Sequence, residues 1–117
     1  MTPNKAIERV NSVSVDAYSD ENKLQWINEL EGMICRLVHQ KDEFEPYKLP
    51  EDMDKELLVS APFDGIYELY IMSKIDFHNQ DWKKYNNSAV AFHSLFDDYK
   101  RTYIRENMPK SSGSIKI

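Results

Sequence analysis

Cys35 and His39 stand four residues apart, a spacing that places a thiol and an imidazole one above the other on a helix. A thiolate beside a base is the start of a nucleophile, but the base needs a third group to orient it, and the spacing supplies none. Flanked by Met33, Ile34, Leu37 and Val38, Cys35 reads instead as a small buried hydrophobe. As the single cysteine it excludes an internal disulfide, and one thiol does not make a structural zinc site. His93 and Asp97 are also one turn apart and could share a metal, yet a third ligand at regular spacing is missing. The three histidines, His39, His78 and His93, therefore read as solvent-facing or capping residues.

Asp97 and Asp98 are adjacent, about 100° apart around a helix, and cannot converge on one substrate as acid and base. Glycines at 32, 65 and 113 do not assemble a phosphate loop. Trp82, Lys83, Lys84 and Tyr85 mix rings and cations as single-strand nucleic-acid binders do, but the rings fall on a core seam and the lysines off it. The expectation is a chain with no catalytic residue, metal or cofactor.

The seam belongs to "DWKKYNNSAVAFHSLFDDYKRTY", where Trp82, Tyr85, Ala89, Phe92, Phe96, Tyr99 and Tyr103 recur at alternating steps of three and four. That period predicts one helix over 82–105, capped by Asp81, about 36 Å long. Asn87 or Ser88 could cap a new helix instead; the unbroken seam favours continuity.

Upstream, Thr2 and Pro3 open a first helix that ends near Val13. Ser19, Asp20 and Glu21 open a second over 20–40, with Leu24, Ile27, Leu30, Ile34 and Leu37 as its stripe. Gly32 inside it is either a point of close approach of another backbone or a plain weak point in the helix. A third helix starts at Ser60 or Ala61 before Pro62, and its apolar residues from Phe63 to Phe77 cover more than one face, so it should be nearly surrounded. Between helices two and three, residues 42–56 hold seven acidic side chains, with Phe44, Tyr47, Leu57 and Val59 suited to a short two-stranded ribbon leaning on the helices or on a neighbouring subunit.

The expected fold is thus all-α: a small bundle of about four helices, the two C-terminal ones long and antiparallel, with a β-hairpin-like insertion. At 117 residues, 41% apolar and 30% charged, the chain suits one soluble domain, taken as 1–108, followed by a flexible tail over 109–117. No apolar run is long enough to cross a bilayer and no secretory signal opens the chain, which leads to an expected cytoplasmic location without membrane contact. Residues 1–99 carry 10 Lys/Arg against 19 Asp/Glu, and residues 100–117 carry 5 against 1. An acidic body repels phosphate, leaving the basic end as the one nucleic-acid candidate. Because tyrosine hydroxyls need partners and the seam runs past the expected end of helix three, Tyr99 and Tyr103 are candidates to meet another subunit.

"AYSDENKLQWINELEGMICR", "ELLVSAPFDGIYELY" and "DFHNQDWKKYNNSAVAFHSLFDDY" together resemble a family of small helical phage and prophage head-to-tail connector, or adaptor, proteins of Gram-positive bacteria. The likeness covers roughly residues 15–105, and is most specific at Leu57, Leu58, Val59, Ala61, Pro62, Tyr67, Tyr70 and Tyr85-Asn86-Asn87-Ser88. Ser60 stands where the family pattern has proline, and the tail lies outside the pattern.

The resemblance implies an adaptor that forms a homo-oligomeric ring on the portal protein, extends the channel through which DNA passes, and docks the next tail-side component. It would be found in the host cytoplasm during assembly and then at the head-tail interface of the virion. On this view Phe44, Tyr47, Leu57, Val59, Tyr99 and Tyr103 make subunit contacts, and Met108, Pro109, Lys110, Ile115 and Ile117 bind the portal. The alternative is a small phage regulatory or DNA-packaging protein that binds nucleic acid through Lys100, Arg101, Arg105, Lys110 and Lys116.

Overall fold

The computed structural model describes residues 1–107, so the tail and its expected portal-binding residues, Met108 to Ile117, lie outside the described residues. Four α-helices run in the order α1 (Pro3–Val13), α2 (Asp20–Met33), α3 (Ile66–His78) and α4 (Trp82–Asn107), with a π-helical turn, Ile34–Val38, continuing α2. The Thr2 hydroxyl accepts from the Lys5 amide, and Pro3 takes the first helical position. Ser19 and Asn22 cap α2 reciprocally, each side chain accepting the other's backbone amide, while Asp20 and Glu21 complement the helix dipole. Asp81 caps α4, its carboxylate accepting from the Lys84 amide at 3.3 Å.

α3 is the hub and packs against α1, α2 and α4. Ile66, Tyr67 and Ile71 from α3 meet Ile27, Leu30 and Ile34 from the second helix and Val10 from α1, all under 2% exposed. A buried ion pair ties the α1–α2 connection down: Lys23 Nζ lies 3.0 Å from Asp16, and it also donates to Asn11. Burial alone would raise the Asp16 carboxyl; the Lys23 ammonium, the Tyr18 amide and the Ser14 hydroxyl outweigh it and hold it below the ordinary carboxylate range. Near the α3–α4 turn, Trp26 stacks on His78 at 5.7 Å and Tyr18 donates to Asn79. α4 is unbroken at Asn86–Asn87–Ser88, where the Ser88 hydroxyl donates to the buried Asp76 carboxylate of α3 at 3.0 Å.

The expected ribbon is absent: no strand occurs among the described residues. Residues 40–65 instead form an irregular strap whose backbone groups pair with the helices. Asn28 holds Tyr47 through both its amide and its carbonyl, at 2.9 and 3.0 Å. The Leu57 amide donates to the Met1 carbonyl, and the Met53 carbonyl accepts from Asn4 in the first turn of α1.

The firmest anchor is Glu31, a carboxylate of α2 with no exposure. It accepts from the Tyr67 hydroxyl at 2.5 Å, the Tyr47 hydroxyl at 3.0 Å and the Leu58 amide at 2.9 Å. The Tyr67 oxygen in turn accepts from the Val59 amide at 2.9 Å. With the Tyr47, Leu57, Leu58 and Val59 amides all donating elsewhere, a ladder between "FEPY" and "ELLV" loses the donors it would need. The same pinning delays α3, which begins at Ile66 behind Gly65 instead of at Ser60 or Ala61, after a series of turns. Gly32 faces the Phe44 ring, not a backbone: a Cβ there would sit 3.8 Å from Phe44 Cδ2, an ordinary contact.

Glu31→Ala is expected to cost about 3 kcal/mol in urea denaturation, because it removes the acceptor of the buried Tyr67 hydroxyl, the half-buried Tyr47 hydroxyl and the Leu58 amide. Glu31→Gln, which keeps an acceptor oxygen, is expected to lose about half as much. Equal and negligible losses in both variants would show that the strap does not hang on this carboxylate.

Candidate protein-docking site

Two halves of α4 meet different surroundings. Towards its C-terminus the helix runs past the start of α3, as the length of the seam requires, but the overhang is covered. Tyr99 is 8% exposed; it packs edge-on to Phe63 and its hydroxyl lies 2.6 Å from His39 Nε2. Tyr103 stacks on the His39 ring at 4.3 Å. The expectation that Tyr99 and Tyr103 overhang uncovered is therefore corrected: the π turn brings His39 across and the strap brings Phe63. A partly polar cleft of about 370 Å³ remains there, between Pro62, Thr102 and Glu106.

Leu57 and Val59 are likewise enclosed by their own chain, at 5% and 0% exposure, and Tyr47 is tied to Glu31. Phe44 is half-buried against Tyr47 at 5.9 Å. As placed here, these four expected contact residues hold the strap to the bundle. The strap's large outward apolar residues are Leu49 and Leu58, each 39% exposed, with Pro46 and Pro50 exposed near Leu49.

Nor is α3 surrounded. Phe77 is 46% exposed, and α3 forms the floor of an open groove of about 520 Å³. Tyr70, Ser73, Lys74 and Phe77 make the floor, Met33 and Leu37 one wall, and Tyr85, Phe92, His93 and Phe96 of α4 the other. The groove exists because α4 touches the π turn but not α2 itself. Its rings are packed against one another, Tyr70 on Phe92 at 5.2 Å and Phe92 on Phe96 at 5.5 Å. At one end Phe77 meets Trp82 at 5.6 Å, and Trp82 is 53% exposed; at the wall Leu37 is 56% exposed. Lys74 pairs with Glu29 at 3.3 Å, and the Tyr70 hydroxyl donates to the same carboxylate; burial and then Glu29 push the Tyr70 phenol up.

The residues with chemical potential are dispersed. The Cys35 thiol donates to the Glu43 carbonyl at 3.3 Å while His39 is engaged with Tyr99 and Tyr103, so the two do not form a nucleophile pair. Burial, and then Lys41, hold the His39 imidazole below its ordinary value, which keeps it neutral against the two phenols. Burial, with smaller contributions from Tyr103 and Glu31, pushes Tyr99 up to about 12. Asp98 is exposed and pairs with Arg101 at 2.6 Å. Among the described residues no three His, Cys, Asp or Glu side chains could hold a metal together, and no helix is long and apolar enough to cross a membrane. Lys100, Arg101 and Arg105 are exposed on the last turns of α4; Lys110 and Lys116 fall outside the described residues. No family model, curated protein or solved structure matches the chain.

The sequence pattern marks Met33, Leu37, Tyr70 and Phe77 as core-facing residues of their helices, not as the lining of a groove. One signal for them was present: the apolar set of α3 spans more faces than α1, α2 and α4 can cover.

The depressed His39 value has a testable sign. Its contribution is complete above the ordinary histidine value of 6.5 and is lost as pH falls through the lower folded value. Between pH 7.5 and pH 5, about the range of histidine titration, wild type should therefore lose more stability than His39→Gln. Parallel curves for the two proteins in urea titrations would remove His39 as the source.

Proposed function

We propose that this chain is a structural assembly protein, a head-to-tail connector subunit that forms a ring on a phage portal, extends the DNA channel and docks the next tail-side component. The observation that carries the reading is the open aromatic groove on α3 and its exposed corner of Phe77, Trp82 and Leu37. A contiguous apolar surface with no reactive group poised in it suits protein docking better than turnover. The excess of acid over base in residues 1–99 supports a channel wall past which DNA slides without sticking. The likeness in sequence to connector proteins supports the specific setting.

The reading assigns the portal contact to residues 108–117, whose basic and apolar side chains follow the end of α4. The test is reconstitution with a phage portal protein from the same genome, viewed by electron microscopy and scored by pull-down. Full-length chain should add a ring to the portal. A chain lacking residues 109–117 should keep its thermal midpoint and lose portal binding. Salt-sensitive binding to duplex DNA with no portal binding would instead favour the nucleic-acid reading through Lys100, Arg101 and Arg105.

A further inference from the structure

We infer that the α3 groove is filled by the strap of a second copy, with Leu49 seated on the aromatic floor and acids of the strap facing the cations along the rim of the groove. The inference rests on the ring-forming reading above and names the contact that would build the ring.

Charge is the first argument. Three of the strap's acids are used internally: Asp52 pairs with Lys55, Asp54 accepts from Asn4, and Glu56 holds the Met1 amine. Glu43, Glu45 and Glu51 make no ion pair among the described residues. The groove lining holds no carboxylate; Lys74 in its floor is already paired with Glu29, but Arg36, exposed beside Leu37 in the wall, makes no ion pair among the described residues. Lys83 and Lys84 follow Trp82 at its open end, Lys84 held only loosely by Asp81 at 3.8 Å.

Shape is the second. Leu49, 39% exposed, sits at a turn of the strap closed by the Asp52 amide on the Lys48 carbonyl, a single part-exposed apolar side chain with Glu45 and Glu51 on either side in sequence. Placement is the third. Leu49 and Pro46 share a surface hollow with Leu24, Gln25 and Asn28 of α2, whereas the groove wall uses Met33 and Leu37. At about 100° per residue these two sets lie well over a third of a turn apart around the second helix, so the strap tip and the groove are two distinct patches, which adjoin at Glu29. Two different patches on one chain make a heterologous contact, the kind that generates rings.

Leu49→Asp and Leu37→Asp alter one exposed residue on each side of the contact and should leave the helical circular dichroism unchanged. In sedimentation, wild type is expected to associate as concentration rises, and each variant alone should weaken association at least about tenfold. An equimolar mixture of the two variants should recover association but stop at a pair, since only one strap and one groove remain intact. Association lost with Leu37→Asp but unchanged by Leu49→Asp would overturn the strap as occupant and leave the ring reading standing. A wild-type chain that stays monomeric to about 1 mM would also overturn the inference; whether it still forms a ring on the portal then decides the broader reading separately.

Discussion

The fold depends on a buried carboxylate, Glu31, that pairs with no cation among the described residues. Glu31 sits in the middle of α2 and collects hydrogen bonds from Tyr47, Leu58 and Tyr67, which otherwise belong to three separate parts of the chain. Burial raises its carboxyl above the ordinary value even though all three donors oppose that rise. Burying such a group is expensive unless its oxygens are fully used, and here two hydroxyls and an amide use them. Because each donor comes from a defined position, the arrangement tolerates one path of the strap and few others. An apolar residue at position 31 would fill the space without selecting that path.

This explains which parts of the fold were legible in the sequence. α1, α2 and α4 announce themselves locally: Thr2 with Pro3, Ser19 with Asp20 and Glu21, and the seven-membered seam behind Asp81 all act within a turn of their own helix. Val13 closes α1 as expected, and the seam runs through Asn87 without a break. The strap was not legible because its order is imposed from outside. "FEPY" and "ELLV" have the composition of a ribbon, and Leu57, Leu58 and Val59 do alternate inward, outward and inward at 5%, 39% and 0% exposure. They alternate as a single extended segment against helices, with Tyr67 and Glu31 standing where a partner strand would be.

The seam of α4 shows the corresponding limit for the site. Its period correctly marks one face of one helix, but periodicity does not say what lies opposite. Phe92 and Tyr99 are buried by α3, by Phe63 and by His39; Trp82 faces solvent; Phe96 and Tyr85 border the groove. The π turn decides this division. By swinging His39 over the far end of the helix it covers the tyrosines, and because α2 itself stays clear of α4, it leaves the groove open above α3.

The buried acid and the groove are then two consequences of one arrangement. Fixing Tyr47, Leu58 and Val59 from within turns Leu57 and Val59 into core residues and leaves Leu49, Leu58 and the glutamates that make no ion pair among the described residues as the strap's outward face. In the proposed contact that face arrives already ordered, so association does not bear the cost of organising a long irregular segment, about 1 to 2 kcal/mol for each residue fixed. A docking element built as a free loop would face that cost at every copy in a ring. Anchoring it to Glu31 moves the cost into folding, where the packing of α2 and α3 offsets it once.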